Sequence, residues 1–262
     1  MEDLVRRWTR VAAVAVGAWA SCMALLWAAE GLHLALQWGA PAAAVLVLLM
    51  AFVRPSLHLN RRETGGAVLP DLGAANLLTL SRGWAAAALA GFLLPPPPPA
   101  QVAWLLVTLF LYVALGDILD GHWARASGRE TLLGKRLDGM VDALAMLVAV
   151  ALAVRWGRLP PWCLALGLAP YLFAFAVALR RRLGKPSPPL SYRPSRRLTG
   201  ALLYGFVAVA LSPLFAKATL AWASLPVGAL VLASFLADWR AVATPGPLWG
   251  RPPFRRKGEP PH

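Results

Sequence analysis

Four aspartates fall close together in the segment LGDILDGHWARASGRETLLGKRLDGMVDALA (115–145), at positions 117, 120, 138 and 142. They make up a third of the twelve acidic residues in the chain, and long apolar runs border them on both sides. Burying an ionised carboxylate at membrane depth is costly unless something compensates it, so acids in this setting are candidates for chemistry. A helix advances about 100° per residue. On that period Asp117, Asp120, Gly121 and Ala124 form one narrow stripe, flanked by Arg125. Gly134, Asp138 and Asp142 form a second stripe on the next element. Two neighbouring helices joined by a short loop would face each other with two acidic pairs.

Four neighbouring carboxylates cannot all remain ionised without compensating charge, and Arg125 offsets only one. Divalent metal is the economical solution. An all-oxygen ligand set selects hard cations such as Mg2+, Mn2+ or Ca2+, and no His/Cys cluster competes for a softer ion. Two ions bridged by the carboxylates suit phosphoryl transfer, one at the attacking oxygen and one at the leaving oxygen. The small residues Gly121, Ala124 and Gly134 leave room for a planar or phosphate group against the backbone. Read blandly, the same acids would be helix-end charges solvated by headgroups, with the glycines serving helix packing. The matched stripes on two adjacent faces favour the metal site.

The elements that must position these stripes are membrane helices. The chain has 262 residues, is 58% hydrophobic and has a mean hydropathy of +0.58. Its apolar runs recur at about the 17–25 residues a helix needs to cross a bilayer. The pattern predicts eight spans, at 11–29, 34–53, 76–94, 101–121, 138–156, 160–179, 199–214 and 217–237. The first follows Arg6, Arg7 and Arg10, but its apolar run is long for a signal peptide and no A-x-A site closes it, so it reads as an uncleaved anchor. The second is interrupted by His33, Gln37 and Pro41. With the N-terminus in the cytoplasm, every Lys and Arg except Arg155, Arg158 and Lys217 falls on the cytoplasmic side. That is the positive-inside pattern, and it accounts for a net charge of +14 through anionic lipid rather than nucleic acid. The expected location is the inner membrane of a bacterial cell, with the site facing the cytoplasm.

Residues 1–55 are read as two N-terminal spans, 56–75 as a juxtamembrane connector, 76–240 as a six-helix catalytic core and 241–262 as a basic, Pro-rich, disordered tail. The run LLPPPPPAQ (93–101) cannot continue a helix. Cys22 and Cys163 lie inside spans and read as small hydrophobes. Trp8, Trp27, Trp104, Trp156, Trp162 and Trp239 lie near span ends and are expected to be interfacial anchors. His122, one residue off the acidic stripe, reads as a headgroup-level side chain.

The order Asp-x2-Asp-Gly-x2-Ala-Arg-x8-Gly-x3-Asp-x3-Asp, filled by Asp117, Asp120, Gly121, Ala124, Arg125, Gly134, Asp138 and Asp142, resembles the signature of the CDP-alcohol phosphotransferase family. A chance match of all eight is on the order of 10⁻⁹ per window. ANLLTLSRG (75–83) is similar to the family's Asn-x-x-Thr-x-x-Arg stretch, through Asn76, Thr79 and Arg82. The resemblance covers roughly residues 70–240. It implies an all-α polytopic enzyme of phospholipid biosynthesis with a six-helix core, here preceded by two extra transmembrane helices. Such an enzyme transfers the substituted phosphoryl group of a CDP-alcohol, most often CDP-diacylglycerol, to an acceptor hydroxyl and releases CMP. It further implies that Asp117, Asp120, Asp138 and Asp142 hold two Mg2+ or Mn2+ ions and that Asp142, with Asp138 beside it, serves as general base. Gly121, Ala124 and Gly134 would line the cytidine site. Asn76, Thr79, Arg82 and Arg125 would contact the diphosphate or nucleotide. Relatives are often homodimers.

In the loop RRRLGKPSPPLSYRPSRR (180–197), Lys185, Arg193, Arg196 and Arg197 are candidates for an acceptor phosphate, because arginine's forked donors match it. The same charges also suit positive-inside topology. The favoured acceptor is a phosphorylated polyol such as glycerol 3-phosphate or inositol phosphate. Serine, inositol and phosphatidylglycerol stay open, as does a CDP-amino-alcohol donor with diacylglycerol as acceptor. From other classes, an ion-coupled transporter would need midplane charges and repeated halves, which the chain lacks, and a non-catalytic lipid-binding relative would not need the complete motif.

Overall fold

The computed structural model describes residues 1–62, 66–127, 131–185 and 194–243, and for residues 117–127 and 194 it describes the backbone alone. Eight α-helices follow one another: α1 (Glu2–Glu30), α2 (Leu32–Ser56), α3 (Gly73–Ala90), α4 (Ala100–Ser127), α5 (Leu132–Arg155), α6 (Leu164–Arg182), α7 (Pro194–Leu211) and α8 (Lys217–Ala243). Among the described residues there is no β-strand, only an isolated antiparallel bridge between Arg62 and Thr131. Each expected span overlaps one of these helices. Five regions are long and apolar enough to cross a bilayer: Glu2–Glu30, Leu32–Leu59, Leu132–Arg155, Pro161–Arg182 and Lys217–Ala243. The protein is therefore an all-α polytopic membrane protein. Helices α3 and α7, 18 residues each, lie outside that set and carry motif residues along their length: Asn76, Thr79 and Arg82 in α3, Arg196 and Arg197 in α7. In α4 the residues Ala100–Gly116 also form an apolar stretch.

The turns follow from local chemistry. Gly31 joins α1 to α2 at φ +90°, a left-handed conformation that favours glycine, and its N–H donates to the Trp27 carbonyl at 3.0 Å. Prolines 95–99 separate α3 from α4, as the absence of donors requires, and the Ala103 N–H returns to the Pro99 carbonyl at 3.0 Å. The interruptions expected to trouble α2 are absorbed. His33 and Gln37 pair one turn apart at 3.0 Å, and Pro41 lies within the helix, as prolines in membrane helices do.

The core forms around α5, whose apolar stretch is 56% buried, against 6% for α1. Helix α3 is wedged between α2 and α5. A Cβ on Gly83 would stand 3.0 Å from Leu49 of α2 and 3.3 Å from Val141 of α5. Just beyond α3, Gly91 approaches the Trp38 indole closely enough that a Cβ there would lie 2.3 Å from it. The N-terminal pair thus packs onto the rest of the bundle through α2. At the far end, Arg158 turns back over α7, donating from Nε to the Ala210 carbonyl at 3.1 Å and from Nη2 to the Ser212 carbonyl. A cation at a helix C-terminus satisfies carbonyls left without helical partners. That gives one of the three basic residues expected away from the cytoplasm a structural task.

Two of the tryptophans expected at the lipid interface are placed otherwise. Trp8 and Trp156 are 5% and 7% exposed and belong to the core, whereas Trp27, Trp104 and Trp162 are more open. Helix α5 also begins six residues before its expected span, because its start is set by a cap rather than by where the apolar run begins.

Candidate active site

The cap of α5 is where the site begins. Thr131 has extended backbone, and its Oγ1 accepts from the Gly134 N–H at 3.0 Å, satisfying one of the unpaired donors of the first turn. The same hydroxyl meets the Asn76 amide of α3, 3.3 Å from Nδ2. Asn76 Nδ2 also donates to Asn60 Oδ1 at 3.1 Å and to the Leu72 carbonyl at 2.7 Å. Asn60 is fully buried, and its own amide donates to the carbonyls of Leu69 and Asp71 at 3.1 and 2.8 Å. A buried polar knot therefore joins the connector, the start of α3 and the start of α5. Gly134 makes it possible, since a Cβ there would lie 2.6 Å from Asn76 Oδ1. Thr79, one turn along α3, is buried, with its hydroxyl on the Ala75 carbonyl at 3.1 Å.

One further turn along α3 lies Arg82, whose side chain is 0% exposed. Its Nε donates to the Val113 carbonyl of α4 at 2.8 Å. Its Nη1 pairs with Asp138 Oδ1 at 2.5 Å, and its Nη2 pairs with Asp142 Oδ1. One guanidinium thus holds both aspartates of the α5 stripe and ties α3, α4 and α5 together. The aspartate side chains are 31% and 30% exposed, so each carboxylate has the arginine on its buried side while remaining partly exposed. The Tyr204 hydroxyl of α7 donates to the Asp142 backbone carbonyl at 3.2 Å, and its ring stacks on Phe110 of α4 at 5.5 Å. These contacts fix α5 at the depth of Asp142.

Asp117, Asp120, Gly121, His122, Ala124 and Arg125 all lie on the last turns of α4, as the stripe required, but their side chains lie outside the described residues. Among the described residues no group of three or more His, Cys, Asp or Glu side chains could hold a metal ion. Asp138 and Asp142 are the described part of the acidic set. Of the basic loop, Arg193 lies outside the described residues, and Lys185 and Arg197 are exposed. Arg196 makes a two-pronged bond to Asp238 of α8, at 2.8 Å from Nε and 2.7 Å from Nη2. The tail beyond residue 243 lies outside the described residues.

Sequence reasoning missed Asn60, Thr131, Gly116, Tyr204 and Asp238. Thr131 carries a readable signal, being a capping residue just ahead of an apolar helical run. Gly116 precedes Asp117, and a Cβ there would lie 2.5 Å from Arg82 Cδ. Nothing local in the sequence marks the others.

Comparison with known proteins agrees with the motif. A model of the family described as CDP-alcohol phosphatidyltransferase matches residues 72–234. A curated relative, the CDP-diacylglycerol--glycerol-3-phosphate 3-phosphatidyltransferase of Cereibacter sphaeroides, is 32% identical over 83 residues. That stretch is 31% of this chain and 37% of the relative, so the match spans well under half of the relative's length. No solved structure matches the chain.

Proposed function

The chain belongs to the CDP-alcohol phosphatidyltransferase family, and on that premise we propose that it is an integral membrane phosphotransferase of phospholipid synthesis. It takes a CDP-alcohol, best CDP-diacylglycerol, and passes the phosphatidyl group to an acceptor hydroxyl. The acceptor oxygen forms a bond to the lipid-side phosphorus of the donor, and the bond from that phosphorus to the CMP oxygen breaks. Asp142 accepts the hydroxyl proton, CMP leaves, and no covalent enzyme intermediate forms. The observation that carries this reading is the side-by-side pair Asp138 and Asp142, held by a buried arginine and each about a third exposed.

Members of the family generally use divalent metal ions. The donor set of this chain fits them, being oxygen only, with two described carboxylates one helical turn apart and partly open. Asp117, Asp120, Asp138 and Asp142 would hold two ions, Mg2+ or Mn2+, which when bound neutralise the diphosphate charge. Gly121, Ala124 and Gly134 would line the cytidine side, with Asn76, Thr79 and Arg125 towards the diphosphate and Arg82 behind Asp138 and Asp142. Acyl chains stay in lipid while nucleotide and acceptor arrive from the cytoplasm at the inner face of a bacterial membrane.

The acceptor is a phosphorylated polyol, glycerol 3-phosphate ahead of inositol phosphate. The printed name of the Cereibacter relative specifies glycerol 3-phosphate, and the exposed Arg197 and Lys185 beside Arg193 and Arg196 supply cations for its phosphate. A homodimer is the expected assembly.

The test is purified protein in detergent with CDP-diacylglycerol and Mg2+ or Mn2+, with CMP release measured against glycerol 3-phosphate, inositol 1-phosphate, serine and inositol. Glycerol 3-phosphate should support turnover. Asp142→Asn should lower the rate roughly 10²–10⁴-fold, the usual contribution of a positioned base, with helical content unchanged. Wild-type CMP release by Asp142→Asn would remove the base assignment, and no release with any acceptor would remove the enzyme reading.

A further inference from the structure

The guanidinium of Arg82 is sealed from solvent, yet it bonds one oxygen of each aspartate on the catalytic face of α5. We propose that Arg82 is a positioning residue. It holds the Asp138 and Asp142 carboxylates in the orientation that grips a divalent cation, and Gly116 is the clearance that lets it reach them. This rests on the metal-dependent reading above, and it assigns Arg82 a task other than touching the nucleotide.

Three observations carry it. The first is directional. Nε is bonded to the Val113 carbonyl of α4, which fixes the guanidinium plane, and the two Nη atoms then point to separate carboxylates. A rigid fork with donors in set directions can do this, whereas a lysine is a single point charge on a flexible stem. The second is the layering. Arg82 is fully buried and the aspartates are about a third exposed, so the carboxylates stand between the arginine and the open side where a ligand would approach. A residue behind its partners acts through them. The third is clearance. A methyl on Gly116 would fall 2.5 Å from Cδ and 2.9 Å from Nε of Arg82. Those atoms belong to a chain pinned at its far end by three bonds, so they cannot swing aside without breaking one.

Without the fork, two carboxylates one turn apart repel each other and revert to their own rotamers. Groups that orient metal ligands from behind typically contribute 10–100-fold in metal affinity, which sets the expected size of the effect. The opposite sign is physically available, because removing a nearby positive charge favours cation binding. The experiment separates the two.

Substrate-free protein in detergent is titrated with Mn2+, and the free ion is followed by its paramagnetic resonance signal, for wild type, Arg82→Lys and Gly116→Ala. Both variants keep a positive charge at residue 82 while disturbing the fork, one by its chemistry and the other by crowding. Elution profile and helical content identify which variants are folded, and a variant that does not fold leaves the other to decide. Each folded variant should bind Mn2+ about 10–100-fold more weakly than wild type. Arg82 serving only to stabilise the fold would lower the melting temperature and leave the Mn2+ affinity of folded protein unchanged. Unchanged or tighter binding in the folded variants overturns the proposal, even when the wild type releases CMP. Weakened binding alongside a wild type that never releases CMP would sink the enzyme reading and leave the positioning role standing.

Discussion

A methyl group on Gly134 would sit 2.6 Å from the Asn76 amide oxygen and 3.2 Å from the Thr131 hydroxyl. Both neighbours are buried and hydrogen-bonded, so neither yields without losing a partner. Gly134→Ala should therefore destabilise the protein by about 1–3 kcal/mol, the range for overpacking. It should also lower CMP release by shifting α5 against α3. Gly139, on the same helix, has nothing within 4 Å of a built Cβ. There Gly→Ala should be neutral or should stabilise by about 0.5–1 kcal/mol, the helix propensity gain. Thermal unfolding in detergent of the two variants checks the contrast, and equal effects would contradict the packing assigned to Gly134. The four aspartates were legible in the sequence because acids beside apolar runs are rare and their spacing repeats a helical face. The partners of Arg82 were not legible, since Val113, Asp138 and Asp142 lie 31, 56 and 60 residues away and local patterning carries no information about them. Asn60 was hidden for the same reason, its role resting on bonds to Asn76 and to the carbonyls of a loop.

Helix α7 illustrates what element boundaries mean in this protein. Its apolar run begins near residue 199, yet the helix starts at Pro194, where proline's missing N–H costs nothing. Apolar runs mark the depth of lipid, whereas helical hydrogen bonding can begin earlier, and both α5 and α7 start several residues outside their apolar runs. Those extra turns carry the polar residues. Arg196, expected to meet an acceptor phosphate, is in the first turns of α7 and clasps Asp238 near the end of α8. The Asp238 side chain is 8% exposed and that of Arg196 35%, so the pair is half sheltered. Bonds to charged groups contribute about 1.5–3 kcal/mol each, less where water competes. Asp238→Ala should cost about 1–3 kcal/mol by this estimate and loosen α7 from α8. Unfolding midpoints of Asp238→Ala and Arg196→Ala, with the double variant closing the cycle, measure the coupling. Additive effects would show that the pair contributes nothing beyond its separate contacts.

At the scale of the whole molecule, every element that carries the chemistry ends on one side of the bundle. Asn76–Arg82 lie near the start of α3, Asp117–Arg125 at the end of α4, Gly134–Asp142 near the start of α5, and the basic segment joins α6 to α7. Contacts between distant segments agree. Arg7 of α1 pairs with Asp71 ahead of α3, and Arg62 of the connector bridges to Thr131 at the cap of α5. The opposite side holds Gly31, the proline run, Gly157 and the Arg158 clasp on α7. This sidedness was readable from the sequence, because eight alternating spans place nearly all basic residues on one face, and anionic lipid and the positive-inside bias favour that face inward. The absolute orientation is open to direct measurement. In a background with Cys22→Ala and Cys163→Ala, a single cysteine is introduced at Arg62 or at Glu30, both exposed. A membrane-impermeant maleimide is then applied to sealed inverted vesicles, whose outer surface is the cytoplasmic face. Arg62→Cys should label at once and Glu30→Cys only after detergent is added, with the reverse order in right-side-out vesicles. Labelling of both positions from the same side would break the two-sided arrangement itself. A clean reversal would keep the bundle and move the site to the outer face, where cytoplasmic nucleotide could not reach it.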